Sequence, residues 1–496
     1  MPTARVKRCL FLVGFLCLVN LSIDNVWTED ETPLFLEVKG LSLDECIRFA
    51  AQNSFEIKLA RLDFLVAETD QGIAESIFDT NFSIDLSYEK DKREPLSTLA
   101  GDNKQTNIYS VETTKKFPSG TELTLSLDDT RKWDNSGFVT RNPAHTAELS
   151  FEARQPLGKN IFGYIDRRDV SAIYLAIQNA DLDTQERIES LFAEVERAYW
   201  DWAFSKRNLE LYGQILEKAQ DLHQSNANNY DIGRIEKGDF LASGANVLIR
   251  EKDLLIAENK YRRAEEKVKL LLNIGSAYRV YPRQNLEYKK QEFALEKCLR
   301  GAFAMRRDYR QAKREIERQY IILETKENAR WPEIDLVASF AANGIDAEFG
   351  RAINDITTDG NTDYYLGLEI SLPLENNLAQ SEFDRARHNK EKALITLKNI
   401  ERTVATEIGD AFRDHLTYQT NVAKVKEAAL LQQEKLKEEE KRFKYGRSST
   451  KRLIDYQQDY LNAQLEVAKG LLNLETARIN LEKNMNIILK KYEGLL

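Results

Sequence analysis

Four histidines, His145, His223, His388 and His415, are scattered along 496 residues with no ligand spacing between them. A metal site needs several such donors at short, patterned separations. The cysteines do not supply them. Cys9 and Cys17 lie in an apolar N-terminal stretch, and Cys46 and Cys298 stand alone. Two isolated cysteines fit small buried side chains on helix faces better than a disulfide framework. The chain has no phosphate-binding glycine loop, dinucleotide fingerprint or nucleophile elbow. It is therefore read as a non-enzyme that needs no cofactor. The aromatic group Tyr199, Trp200, Trp202 and Phe204 has helical spacing, so packing between helices accounts for it. What remains is charge beside two turn glycines, Gly233 and Gly446.

Those glycines sit in segments that the chain writes twice. NYDIGRIEKGDF precedes one long helical pattern, and RFKYGRSSTKRLIDY precedes another. Setting Gly233 on Gly446 puts Phe240 on Leu453. In both places a long polar helix meets a glycine and at once restarts. Glycine enters the left-handed region that ends a helix without steric penalty. Each segment thus reads as the tip of a helical hairpin. A second stretch is also repeated, LSLDECIRFA against FALEKCLRGA, which places Cys46 and Cys298 in equivalent positions.

Only 9 prolines and 22 glycines punctuate the chain, 30% of it is charged, and its mean hydropathy is −0.51. Long solvated helices fit these figures better than one compact core. A net charge of −9 argues against nucleic acid as the main partner. Residues 1–25 read as a signal peptide: Arg5, Lys7 and Arg8 precede an apolar run from Cys9 to Val19. The mature start is placed between Ser22 and Thr32. No later stretch holds 18 apolar residues, so any crossing of a membrane must be made by a β-barrel.

The first repeat, 41–275, opens on a helical pattern to about Phe78, capped by Ser42 with Glu45 three residues later. At Asn81 the period changes from helical to alternating. Strands follow over about 81–155, apolar on one side and polar on the other, with connections that run long, short, long. Outer-membrane barrels show that asymmetry between external loops and periplasmic turns. A long helix over 163–230, the tip at 233 and a return helix to 273 complete the repeat. A linker, 276–292, leads to the second repeat, 293–490. That repeat has a helix to Arg330, strands over about 333–373, a long helix 379–445, the tip at 446 and a last helix to 490. Between Cys46 and Cys298 the offset is 252, and between Pro156 and Pro373 it is 217. The first repeat thus holds about one extra strand hairpin, the one turning at Pro118. Tyr88, Tyr109, Trp133, Phe138, Tyr364 and Tyr365 are candidates for an aromatic girdle at the membrane interfaces.

This order, with the segments LSLDECIRFAAQNSFEIKLAR and AYWDWAFSKRNLEL, the pair Trp331-Pro332 and both tips, resembles the TolC family of outer-membrane efflux channels. The resemblance implies a mainly α fold with membrane β and internal duplication. Long helical hairpins would form an α-barrel tunnel, and a β-barrel would be contributed jointly by three protomers. It also implies a homotrimer in outer-membrane lipid, whose tunnel crosses the periplasm to a periplasmic adaptor protein and an inner-membrane transporter. The residues agree on one point independently: four to six strands cannot close a membrane barrel, and an open edge is not tolerated in lipid. Three copies of six strands would give about 18, against about 12 if the extra hairpin stays out. The family places its gate at the tips, with an aspartate six residues after each glycine and another nine after the second. Here those positions are Asp239, Arg452 and Asp455, so arginine replaces one carboxylate. In a threefold assembly each becomes a ring, and Arg452 would cancel an acidic ring or pair with Asp455 or Asp239. The competing reading is a coiled-coil scaffold with no pore. It accounts for the helices but not for alternating strands at matching places in both repeats.

Overall fold

The structure is a computed structural model that describes residues 39–95, 101–275, 278–288, 291–358 and 360–495. The signal-peptide reading lies outside these residues. The described elements, in chain order, begin with β1 (Lys39–Leu41), α1 (Leu43–Asn53), α2 (Phe55–Glu75), β2 (Thr80–Asp91), β3 (Lys104–Lys116), β4 (Glu122–Asp134) and β5 (Ala144–Pro156). Next come α3 (Tyr164–Asp231), α4 (Lys237–Leu272), β6 (Val280–Pro282), α5 (Leu295–Met305), α6 (Arg307–Asn328), β7 (Glu333–Asp346), α7 (Phe349–Thr358) and β8 (Thr362–Ser371). Two long helices and a short one follow: α8 (Asn377–Lys444), α9 (Thr450–Asn484) and α10 (Ile488–Lys491).

α3 and α8 have 68 residues each. At 1.5 Å per residue each is about 100 Å long. α4 and α9 return alongside them as antiparallel partners. None of the described helices is long and apolar enough to cross a membrane.

Six strands form one antiparallel sheet in the order β2-β3-β4-β5-β7-β8. The hairpin that turns at Pro118 is therefore part of the sheet. Residues paired across antiparallel strands share a face, so the register sorts the side chains. Phe82, Ile84, Leu86 and Tyr88 lie on the same face as Tyr109 and Val111, then Leu123, Leu125 and Leu127, then Leu149, Phe151 and Ala153. Leu336, Ala338 and Phe340, then Tyr364, Leu366, Leu368 and Ile370 continue that face. The opposite face carries Asp85, Glu112, Asp128, Glu148, Glu152 and Glu369, with Arg154 bonded to Asp335 (2.9 Å) and Glu369 (2.8 Å). Tyr365 pairs with Ser339 on this polar face, so it leaves the proposed girdle. β2 and β8 are the edges, and the apolar residues of both are exposed.

Four expectations need correction. The helix foreseen from Leu41 to Phe78 breaks at Ser54, an extended residue whose side chain accepts from the Glu56 amide at 3.2 Å. Its counterpart over 293–330 breaks at Arg306, at φ −59° and ψ 126°. Both breaks come eight residues after the equivalent cysteine, so the interruption is itself duplicated. The region read as strands over about 333–373 also contains a helix, α7, between β7 and β8, whose Ala352 and Ile356 pack on Ala147 and Ala342. Gly344 allows that approach, since a Cβ there would lie 2.1 Å from the Ala352 carbonyl oxygen. The last helix stops at Asn484 rather than 490, because Asn486 turns left-handed at φ 52° and the Glu189 carboxylate accepts from the Ile488 amide at 2.8 Å. The capping box of Ser42 and Glu45 is present. The linker holds β6, which pairs in parallel with β1.

The main apolar core lies where α1, α3, α4, the β1-β6 pair and the C-terminal segment meet, around Phe192, Tyr199, Trp202, Leu272 and Ile488. The aromatic cluster read as packing is packing. Cys46 belongs to this core and Cys298 to another formed by α5, α8 and α9; both are buried free thiols.

Candidate functional site

The two hairpin tips are built from the same local chemistry. At the first, the Arg234 amide donates to the Asn229 carbonyl (2.8 Å) and the Gly233 amide to the Tyr230 carbonyl (2.9 Å). At the second, Arg447 donates to Arg442 (2.8 Å) and Gly446 to Phe443 (3.0 Å). This is the paired bonding of a helix that ends on a left-handed residue. The glycines hold φ of 73° and 72°. In each case the next helix starts six residues after the last one ended. The matched residues Phe240 and Leu453 both close their hairpins. Phe240 stacks on Tyr230 and His223, with ring centroids 5.3 and 5.1 Å apart, while Leu453 packs on Leu222 and Leu436.

Asp239, Arg452 and Asp455 all lie in the first two turns of the restarting helices. Asp239 is half-buried, and Arg452 and Asp455 are exposed. Within one chain no ion pair among the described residues joins Arg452 to either carboxylate. The Arg452 amide donates instead to the Ser449 side chain at 3.4 Å, as a helix cap.

The structure adds a contact between the tips that the sequence did not announce. Asn226, fully buried on α3, donates through Nδ2 to the Thr450 hydroxyl at 3.1 Å and to the Asp239 carbonyl at 3.4 Å. Its Oδ1 has no partner among the described residues. Beside it, Ser243 bonds His223 at 2.9 Å and donates to the Phe240 carbonyl at 2.8 Å. Glu439, also buried, accepts from the Ser448 hydroxyl. A lone Asn inside a polar helix carries no sequence signal. The arrangement offers bonding and charge at the hairpin tips but no nucleophile paired with a base among the described residues, and no cluster of metal ligands occurs there either.

Residues 120–273, from the β3-β4 turn to the end of α4, match the family described as outer membrane efflux protein. The resemblance to the TolC family read from the sequence is borne out.

Solved structures of outer-membrane channels share the fold nearly end to end. The Campylobacter jejuni CmeC outer membrane channel superposes with a TM-score of 0.69 at 14% identity, covering 92% of this chain and 89% of that one. The Vibrio cholerae outer membrane protein VceC gives 0.66 at 14%, covering 89% and 95%. The open state of the Neisseria gonorrhoeae MtrE outer membrane channel gives 0.65 at 15%, covering 89% and 88%. No curated protein gives a significant sequence match. The fold is thus that of the outer-membrane channels: mainly helical, with long antiparallel hairpins and one antiparallel sheet.

Proposed function

We propose that this chain is an outer-membrane channel that serves as the passive exit duct of an efflux or secretion assembly. Three copies pool their sheets into one barrel in outer-membrane lipid. Their helices form a tunnel in the periplasm, and a periplasmic adaptor and an inner-membrane transporter open it at the tips.

One observation carries this reading. A six-stranded sheet, apolar on one face and polar on the other, has two open edges and grows directly from long helical hairpins. Lipid does not tolerate such edges, so they must be paired. With an even number of alternating strands, β8 of one copy meets β2 of the next in antiparallel sense, so the set can close.

The helices support the same assembly. Leu241, Leu248 and Leu255 repeat every seven residues on α4, Ile249 and Ile256 follow them, and all five are exposed in a single chain. A heptad seam of this kind calls for a partner helix. On α2, Phe55, Leu59, Leu62, Val66 and Ile73 form another uncovered stripe. At the mouth, Arg452 from each copy links to a carboxylate, Asp455 or Asp239, of a neighbour, and partners open the tube by spreading these helices. Nothing in the sequence binds nucleotide, so energy comes from the partner pump.

The test is insertion and conductance. The protein should stay in the outer-membrane fraction through an alkaline wash and form ion-conducting pores in planar bilayers. Release by alkali with no conductance would favour a coiled-coil scaffold.

A further inference from the structure

We propose that all six strands of each copy cross the outer membrane, so that three copies close an eighteen-stranded barrel in which the β3-β4 hairpin supplies two lipid-facing strands. This rests on the trimeric-channel reading above and gives its barrel a size.

The first observation is the slope of the apolar face. One register row runs through Asp85, Ser110, Asp128, Glu148 and Asn343, and the Asn343 amide extends it to the Asn361 carbonyl. Relative to that row, the centre of the apolar run does not stay level. It lies on the row at β2 and β3 and about three residues toward the helical end at β4 and β5. It lies about five residues toward that end at β7 and six at β8. Six residues at about 3.4 Å, over five strand spacings of about 4.8 Å, incline the band by about 40° to the hydrogen-bonding direction. Strands of membrane barrels tilt by about 35–45° for the same geometric reason. A membrane plane drawn through this sheet follows the apolar band, and β3 and β4 fall on it with the other four.

The second observation is where the hairpin ends. The β3-β4 turn is clamped to the start of α3, level with the end of β5. Arg167 donates to the Pro118 carbonyl (2.6 Å) and the Phe162 carbonyl (2.5 Å). Lys116 pairs with Asp166 at 2.8 Å, and the Thr121 hydroxyl donates to Gln155 at 2.5 Å. A Cβ on Gly120, which has φ 75°, would lie 2.5 Å from the Gly163 nitrogen. The turn is fixed at the junction of sheet and tunnel, so the hairpin spans the same height as its neighbours.

Eighteen strands at this tilt give a backbone diameter of about 36 Å, against about 24 Å for twelve. With side chains lining the inside, about 25 Å stays clear, twice the about 10–12 Å of a helix with its side chains. The barrel then sets no size limit on small molecules or extended chains, and any size selection falls to the helical tunnel and its mouth.

Single cysteines in the full-length protein reconstituted in lipid vesicles test this. Val111→Cys and Leu125→Cys report the apolar face of the hairpin, and Glu112→Cys its polar face. Leu86→Cys and Leu366→Cys report the two edge strands. Each carries an environment-sensitive thiol dye, and the unsubstituted protein corrects for the buried native cysteines. We expect spin-labelled lipid to quench positions 111, 125, 86 and 366 several-fold more than aqueous iodide does, with the order reversed at 112. Iodide quenching at 111 and 125 with lipid quenching at 86 and 366 would mean a twelve-stranded barrel, and would overturn this proposal while sparing the channel. Lipid quenching at none of the apolar positions would overturn both.

Discussion

Gly233 and Gly446 hold backbone angles that cost an L-residue roughly 1–2 kcal/mol. Nothing crowds either position, since beyond the adjoining residues no atom of the described residues lies within 4 Å of a Cβ added there. The conformation, not space, therefore requires glycine. Gly446→Ala should weaken the second tip by about 1 kcal/mol, read as faster amide exchange confined to the ends of α8 and α9. Unchanged exchange there would mean that the turn is not held left-handed. Arg452 is a different kind of residue, exposed and with no ion pair among the described residues. If it locks the mouth across copies, Arg452→Glu should raise resting conductance and sensitivity to antibiotics while leaving trimer assembly intact. Equal conductance in the two proteins would remove the lock and leave a solvated charge at a helix start.

Elements are held in place by a buried ionic knot where α3, α9 and the C-terminal segment meet. Glu196, fully buried, accepts from Arg478 (3.1 Å), Lys491 (3.0 Å) and the Tyr492 hydroxyl (2.7 Å). Burial alone would lower the Arg478 pKa, but Glu482, Glu196 and Glu475 overcome it and keep the guanidinium charged. Removing one partner of a buried pair costs about 3–5 kcal/mol. Arg478 keeps Glu482 and Glu475, so Glu196→Gln should fall at the low end, about 3 kcal/mol, seen as a lower urea midpoint of the Trp200 and Trp202 fluorescence. An unshifted midpoint would show that the knot adds no net stability. His415 on α8 gives a pH effect. Burial lowers its pKa, with Arg478 acting in the same sense, while Glu475, Glu482 and the Gln291 backbone oppose. A histidine with a depressed folded pKa contributes stability above its unfolded value of about 6.5 and loses it as pH falls below that. The melting temperature should therefore drop between pH 7 and 5, and drop less in His415→Leu. The long helices and both tips were legible because period and glycine repeat over dozens of residues. The breaks at Ser54 and Arg306 were not, since one extended residue barely disturbs a helical pattern. α7 was hidden because its ten residues are too few to stand out from a polar loop, and only the flat patch of Ala147, Ala342 and Gly344 gives them a seat.

At the scale of the whole molecule, the two open sheet edges, β2 and β8, are in the proposed trimer the places where neighbouring copies join. The sheet's faces were readable from alternation alone, but the pairing order was not. Nothing local told whether the β3-β4 hairpin joined β5 or stood apart, and that is decided by contacts between residues far apart in sequence. With the register known, the next contact can be stated. On each step across the sheet the apolar band moves a little over one residue toward the helical end. Continuing that step from β8 to β2 of a neighbouring copy sets Leu86 against Leu366 or Leu368, the nearest positions on the same face. Paired cysteines on adjacent strands fall within disulfide reach, since the bond needs Cα atoms about 4.4–6.8 Å apart. A chain carrying Leu86→Cys with Leu366→Cys or Leu368→Cys should therefore form covalent dimers and trimers in mild oxidant, and no larger species. Leu86→Cys with Ile334→Cys, which lies an element away from the edge, should stay monomeric on a non-reducing gel. A ladder beyond three would mean that the edges join without closing, and monomers throughout the β8 series would mean that they do not join.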